Sequence, residues 1–240
     1  MKKILIAICA ALMALACTQA PKQQPLENSV VYEMNVRQYT PEGTFAAAQQ
    51  QLPRLAELGV DIVWLMPIYP IGVEGRKGTL GSYYAVKNYC DINPEFGTLE
   101  DFDNFVAEAH RLGLRVIVDW VANHTSPDAV WVTGQAPEWY ERDAEGNTTY
   151  TADWSDTANL NYENPEVWKG MQAALRFWME RGIDGFLVTW LVRFRSSSGR
   201  RPSQDSALTT RICIGLQRVR SQSFILSQTS TLHIHGNSTI

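Results

Sequence analysis

Apolar residues follow two alternating patterns along most of the chain. Some runs are apolar at nearly every position, such as VDIVWLMPI at 60–68 and LRVIVDWVA at 114–122, which is typical of strands covered on both faces. The segments between these runs carry apolar residues at helical spacing and end on a glycine. The alternation predicts parallel βα units.

The predicted strands are 29–40, 60–68, 114–122 and 183–188, and the predicted helices are 44–59, 98–113 and 164–182. Thr44 and Thr98 stand where helix N-caps are expected, and Gly59 and Gly113 stand where the same helices end. A long polar and aromatic stretch, 124–163, breaks the rhythm after the third strand. It is too long for a simple loop and therefore predicts an insertion.

The first residues of the chain predict export. Lys2 and Lys3 precede an apolar run from Ile4 to Ala16, which is the pattern of a secretory signal rather than of a membrane span. The segment Ala-Leu-Ala-Cys that ends at Cys17 is similar to a bacterial lipoprotein cleavage site. Lipidation of Cys17 would anchor the mature chain to a membrane, and plain cleavage of the signal is the alternative.

Charge is distributed unevenly along the chain. The net charge is −4, and all but one of the 25 acidic residues precede residue 187. This acidic body argues against a nucleic-acid partner. The segment 187–240 has seven arginines, no lysine and one acid, Asp205, and it has no βα period, so no fold is expected for it. A nucleic-acid-binding arm is another interpretation of this segment, which export of an acidic protein disfavours.

Polar residues cluster where the third strand ends. The sequence DWVANHTS places Asp119, Asn123 and His124 there, and catalytic groups of parallel barrels lie at the carboxyl ends of the strands. A strand-to-loop turn whose polar groups bind the backbone would give a similar sequence.

Several stretches together carry a resemblance to a known family. They are VYEMNVRQYTPEG followed by LAELGVDIVWLMPIYP, YAVKNY with NPEFGT, GLRVIVDWVANHT, NLNYENPEV and GIDGF. In order and spacing they resemble the α-amylase superfamily of glycoside hydrolases over residues 30–186. The specific part is the D-x-x-x-N-H stretch from Asp119 to His124, combined with G-I-D-G-F further along the chain.

The resemblance implies a TIM (β/α)8 barrel, an α/β fold of which residues 30–186 form the N-terminal half, with a small domain inserted after strand three at about 124–163. It also implies retaining hydrolysis of α-glucosidic bonds in maltooligosaccharides or starch. In that scheme a strand-four Asp is the nucleophile and a strand-five Glu is the acid and base. A strand-seven Asp holds ring hydroxyls.

Carried over residue by residue, the resemblance gives His124 a hydrogen bond to the sugar at the cleaved bond and stacks Tyr84 of YAVKNY on its ring. Asp119 would orient an Arg on strand four, and Asn123 would be a Ca²⁺ ligand in members that bind calcium. The alternatives are an ordinary loop aromatic for Tyr84 and a cap or turn role for Asn123. The aromatic residues of the insertion are expected to form its own core rather than sugar platforms: Trp131, Trp139, Tyr140 and Trp154.

The family pattern fails after Phe186. The family requires Gly-Phe-Arg-x-Asp at the end of strand four, whereas this chain has Leu187, Val188 and Thr189, and no later stretch supplies the strand-five Glu or the strand-seven pair. One base inserted into a permitted codon for Leu187 makes the frame encode Arg-Cys-Asp-Val-Ala-Gly. We therefore expect 187–240 to be an out-of-frame tail and the chain as written to be catalytically inactive.

The chain divides into a signal peptide at 1–17, a linker at 18–29, a partial catalytic barrel at 30–186 and the tail at 187–240. Four strands of eight leave sheet edges unpaired, so the chain is not expected to close into a stable barrel. The expected partner is an α-glucan or maltooligosaccharide, and the expected location is a bacterial cell envelope. A non-catalytic glycan-binding surface lipoprotein is the alternative function.

Overall fold

The computed structural model describes residues 28–192 and 207–214. Cys17, the signal peptide and most of the linker and tail lie outside these residues. The strands are β1 (Val31–Met34), β2 (Ile62–Leu65), β3 (Arg115–Val121), β4 (His124–Thr125), β5 (Ala158–Asn159), β6 (Gly185–Val192) and β7 (Ala207–Ile214). The helices are α1 (Val36–Tyr39), α2 (Phe45–Gln49), α3 (Leu52–Glu57), α4 (Leu99–Arg111) and α5 (Pro165–Glu180).

The main sheet has five strands in the order β1-β2-β3-β6-β7. The first four pair in parallel, as the alternation of strands and helices predicts, so the α/β fold class is confirmed. Helices α4 and α5 each connect one parallel strand to the next. The carboxyl ends of these strands therefore share one edge of the sheet.

Strand β7 lies in the segment for which no fold was expected. It pairs antiparallel with β6, from Gly185 opposite Ile214 to Val192 opposite Ala207. An open sheet edge accepts almost any extended segment through its backbone groups, so this pairing leaves no periodic signal in the sequence. All strands of a (β/α)8 barrel are parallel, so β7 does not take the place of the next barrel strand.

The two faces of the sheet are buried differently. One face packs against the helices in the main core, in which Val63, Val118 and Phe186 form one buried cluster with helix residues such as Phe102 and Trp178. Burial of each such side chain contributes about 1.5–3 kcal/mol. The other face has a smaller apolar cluster made by Ile62, Ile117 and Leu187, with Val31 and Trp64 beside it.

The predicted helix over 44–59 is two helices, α2 and α3. Pro53 lies in the first turn of α3, and it has no N–H to donate to a preceding turn. The connecting residues Gln50 and Gln51 instead donate to the carbonyls of Ala47 and Ala48, at 3.2 and 3.0 Å. Proline thus ends one helix and begins the next.

The strand predicted over 29–40 is too long, because β1 ends at Met34 and α1 follows. The Arg37 guanidinium of α1 donates to Glu95 at 2.7 Å and lies over the Tyr83 ring, 4.6 Å from its centroid. Val36 is buried in the main core. These tertiary contacts favour a helical turn over the local strand propensity.

The other two predicted helices are confirmed as α4 and α5. In α4, the Thr98 hydroxyl accepts from the Asp101 backbone N–H and the Asp101 carboxylate accepts from the Thr98 N–H, which is a complete capping box. In α5, the Asn164 side chain caps the helix and Pro165 opens it. Within residues 28–192 and 207–214, no helix is long and apolar enough to cross a membrane.

The insertion at 124–163 is held to the main sheet rather than folded around a core of its own. Its regular strands are β4 and β5, of two residues each, which pair antiparallel. The Trp131 and Trp139 rings meet edge to face with centroids 5.1 Å apart and pack against the main core, to which Tyr140 also belongs. So short a segment cannot bury enough apolar surface by itself, and it shares the larger core.

Candidate functional site

The side chains predicted for the site meet at the carboxyl edge of the sheet. The Tyr84 hydroxyl lies 3.4 Å from Oδ2 of Asp119 at the end of β3. The backbone of Tyr84 also lies beside the His124 imidazole. Asp119 and His124 are buried, whereas Tyr84 is 37% exposed. The structure thus brings these three residues together, and their roles towards a sugar stay a prediction.

The loop that carries Tyr84 is held by backbone hydrogen bonds on both sides. On one side, the Gly72 N–H donates to the Ala85 carbonyl at 2.9 Å. On the other, the Ser126 N–H donates to the Val86 carbonyl at 2.8 Å. The loop between β2 and α4 is therefore tied to the insertion at the residues next to Tyr84.

Two buried tyrosines fix the backbone at the end of β3. The Tyr69 hydroxyl donates to the Asp119 carbonyl at 3.1 Å. The Tyr89 hydroxyl lies within hydrogen-bonding distance of two carbonyls, that of Val121 at 2.6 Å and that of His124 at 2.9 Å. The tyrosines hold the turn that positions Asp119 and His124, so both hydroxyls are engaged by the backbone.

Burial raises the pKa of Asp119 to about 7. The hydrogen bond from Tyr84 opposes this shift, and repulsion by Glu33 adds to it. Among the described residues, no group donates to the Oδ1 atom of Asp119. Its register partner on β6 is the buried Leu187, at the position where the family pattern has an Arg. The carboxyl group consequently has no cation where the resemblance places one.

The imidazole of His124 is neutral at physiological pH, because burial lowers its pKa to about 4. Attraction to Asp156 and the nearby backbone of Tyr84 only partly oppose that shift. Neither ring nitrogen makes a full hydrogen bond to a described group. A neutral imidazole has one donor and one acceptor, so His124 can bind a ligand hydroxyl at either nitrogen.

Trp154 lies beside the candidate site, where the sequence did not place it. It was expected in a core of the insertion, but it is partly exposed and lies outside the main core cluster. Its ring lies against His124, with centroids 5.5 Å apart and planes at 59°. The pairing of Thr125 with Ala158 brings the segment before β5 next to His124, and such a pairing of two-residue strands has no readable pattern.

Asn123, the residue predicted to bind calcium, has a structural contact in the described part of the chain. The Asn123 carbonyl accepts from the Leu160 N–H at 3.0 Å, which gives Asn123 a structural contact to the insertion. No group of three or more His, Cys, Asp or Glu side chains in the described ranges is arranged to hold a metal ion. Calcium takes six to eight oxygen ligands, so Asn123 would need donors beyond these. Its role as a ligand stays a prediction.

The Asp of the GIDGF motif has a structural role. Asp184 Oδ2 accepts from the Val116 N–H at 2.7 Å and pairs with Nε2 of His110 at 2.9 Å. These contacts join the beginning of β6 to β3 and to the last turn of α4. They lie at the amino end of the strands, away from Asp119 and His124.

Known proteins match this chain over much of its length. A family model described as the alpha amylase catalytic domain matches residues 27–154. An alpha-glucosidase of Apis mellifera is 33% identical over 232 residues, covering 78% of this chain and 39% of that protein. An alpha-1,4-glucan:maltose-1-phosphate maltosyltransferase of Rhodospirillum rubrum is 35% identical over 182 residues, covering 65% and 26%.

Solved structures agree with these relatives. The crystal structure of an alpha-amylase from Lactobacillus plantarum is 46% identical, with a TM-score of 0.65, over 67% of this chain and 38% of that chain. The chain therefore spans less than half the length of each of these three proteins. The similarity to this alpha-amylase identifies the open parallel sheet as part of a TIM barrel.

Proposed function

The chain belongs to the α-amylase family, and from this we propose that it derives from an enzyme that hydrolyses α-glucosidic bonds in maltooligosaccharides or starch with retention of configuration. The observation that carries the proposal is the meeting of Tyr84, Asp119 and His124 at the carboxyl edge of β3. The relatives include a glucosidase and a maltosyltransferase. We therefore also propose that the cleaved sugar is transferred to water and not to another acceptor molecule.

In this proposal the described residues bind and orient the sugar. The neutral His124 exchanges a hydrogen bond with a ring hydroxyl, and the exposed Tyr84 ring covers an apolar face of the same sugar. Asp119 sits behind Tyr84 and, when paired with a cation, would hold that cation in place. The bond-breaking step needs two further carboxyl groups about 5–5.5 Å apart in a retaining enzyme.

We propose that the chain as written does not catalyse that step. Leu187, Val188 and Thr189 stand where the family pattern has its Arg and its nucleophilic Asp, and Asp205 is the single acid after Phe186. In the main sheet, Thr189 is the register partner of Val121, at the same edge as the site. A threonine at the nucleophile position of the motif supplies no carboxylate, which the retaining route requires.

The test compares two purified proteins on maltotetraose, with product sugars measured by chromatography. One is the chain as written, and the other is encoded by the same gene with one base inserted in codon 187. We expect hydrolysis by the second protein alone. Hydrolysis by the chain as written would contradict its proposed inactivity, and no hydrolysis by the frame-restored protein would contradict the hydrolase proposal.

A non-catalytic glycan-binding lipoprotein is the second candidate function. It is favoured by the retention of Tyr84 beside Asp119 and of Trp154 beside His124, despite the loss of the carboxylate motif. Retardation of the chain in a gel that contains soluble starch would support it, and equal mobility with and without starch would contradict it.

Export and lipidation belong to the same proposal. The signal at 1–17 and the Ala-Leu-Ala-Cys segment support placement in a bacterial envelope with a lipid on Cys17. Incorporation of labelled palmitate into the chain, lost in Cys17→Ser, is the expected result. Equal labelling of both proteins, or of neither, would contradict lipidation at this residue.

A further inference from the structure

Trp154 lies next to His124, whose two ring nitrogens make no full hydrogen bond to a described group. Its N–H donates to the Thr151 carbonyl at 3.0 Å, and its own carbonyl accepts from the Thr157 N–H and hydroxyl at 2.9 and 2.7 Å. Its ring lies 5.5 Å from that of His124. The backbone on both sides of Trp154 is therefore fixed, and the ring keeps a defined place.

A second set of contacts ties this segment to the loop that carries Tyr84. Lys77 donates to the Asp153 carbonyl, and its ammonium group lies 3.8 Å from the buried carboxylate of Asp156. Gly75 packs so closely that a Cβ atom there would lie 3.0 Å from the Ser155 carbonyl oxygen. These contacts join the loop at Gly75 and Lys77 to the insertion at 153–156. The joined segments are called the wall below, and a ligand would not need to order them on binding.

The chemistry of this wall suits a chain of sugars. His124 is 5% exposed and has two ring nitrogens without full hydrogen bonds among the described residues, and the Trp154 ring lies directly beside it. A partly exposed indole offers a large, rigid apolar surface at low entropic cost. Sugar rings have one face of C–H groups that matches such a surface.

We propose that Trp154 is the stacking platform for the glucose unit next to the one that contacts Tyr84 and His124. This inference rests on the proposed function, because it takes an α-glucan as the ligand. Trp154 then makes the site prefer an oligosaccharide over a single sugar. Trp168, an exposed indole in the first turn of α5, packs against Tyr162 and lies outside this wall.

The test measures binding of glucose and of maltotriose to the full chain by calorimetry. Trp154→Ala is expected to weaken maltotriose binding by about fivefold to tenfold and to leave glucose binding unchanged. Trp154→Phe is expected to keep most of the maltotriose affinity, which separates stacking from a folding defect. Trp168→Ala, which also removes a partly exposed indole, is the matched control and is expected to bind both sugars like the unaltered chain.

The outcomes separate this inference from the proposed function. His124→Ala is expected to weaken binding of both sugars. Suppose that His124→Ala weakens binding of both sugars. If Trp154→Ala then binds maltotriose normally, or if its affinity for glucose falls as much as its affinity for maltotriose, the platform is overturned and the proposed function stands. Loss of maltotriose affinity in Trp154→Phe equal to that in Trp154→Ala also overturns the platform. If the unaltered chain binds neither sugar, the inference fails, whereas the hydrolase proposal is decided separately by the activity of the frame-restored protein.

Discussion

Two neighbouring residues of the site, Asp119 and His124, have opposite effects on stability as the pH changes. Asp119 loses its proton near pH 3.8 in the unfolded chain and at about pH 7 in the fold, so the unfolding free energy falls as the pH rises between these values. His124 titrates near pH 6.5 unfolded and at about pH 4 folded, so its contribution to stability rises over the same range.

The two effects can be separated by substitution. Relative to the unaltered chain, Asp119→Asn should gain unfolding free energy most at about pH 7, and His124→Asn should gain it most at about pH 4. Each unit of pKa shift corresponds to about 1.4 kcal/mol, which urea unfolding curves at a series of pH values can resolve. Difference profiles with the same slope for both variants would contradict the assigned shifts.

A cation at position 187 should restore the ordinary acidity of Asp119. Leu187 is the register partner of Asp119, so an Arg side chain from that position reaches the same face of the sheet. Leu187→Arg is expected to lower the pKa of Asp119 below about 7, measured by NMR titration of the carboxyl carbon. Leu187→Met is the apolar control and should leave the value near 7. An unchanged value in Leu187→Arg would show that the two side chains do not meet.

Sequence alone could identify Asp119, His124 and Tyr84 as a group because each lies in a recognisable stretch of the family pattern. It could not identify Trp154, because a tryptophan in an irregular segment has the same pattern whether it faces the core or a ligand. The pairing of β4 with β5 places the segment that carries Trp154 beside His124 and not in the core. That pairing depends on tertiary structure and not on local propensity.

Individual elements follow the sequence best where a side chain acts on its own helix. Thr98 and Asn164 begin their helices as the sequence indicates, because capping needs contacts within one turn only. Helical spacing alone was insufficient over 44–59, where Pro53 divides the segment. In α1, contacts from Arg37 to a distant loop override strand propensity, which no local pattern can reveal.

The capping box of α4 gives a prediction at this scale. Thr98→Ala removes the acceptor for the Asp101 N–H, and we expect the free energy of unfolding to fall by about 1 kcal/mol. Thr98→Ser keeps the hydroxyl and should keep most of that stability. Urea unfolding at neutral pH measures both variants, and equal losses in Ala and Ser would show that the hydroxyl is not the stabilising group.

Across the whole molecule, the described sheet is open rather than closed. Strand β1 has a partner on one side only among the described residues, so its other side exposes unpaired backbone groups. Beside it, Val30 is 53% exposed. Such an edge is a template for pairing with another copy of the chain. The parallel order of the first four strands was predictable from the alternating pattern, whereas the antiparallel addition of β7 depends on an available edge.

The open edge predicts self-association that grows with concentration. Val30→Lys places a charge beside the β1 edge and is expected to lower the apparent mass of the chain at high concentration, measured by light scattering after size exclusion. Val73→Lys introduces the same charge at an equally exposed apolar residue in the loop after β2. Equal effects of both variants would indicate a general effect of charge rather than pairing at the edge.

Tyr89 links the site to a residue that is synthesised much later. The Trp178 indole N–H donates to the Tyr89 carbonyl at 2.6 Å, although the two residues are 89 positions apart. While the chain emerges from the ribosome, the loop around Tyr89 waits for α5 before that contact can form. The turn that positions Asp119 and His124 therefore lacks this support of Tyr89 until α5 has been synthesised.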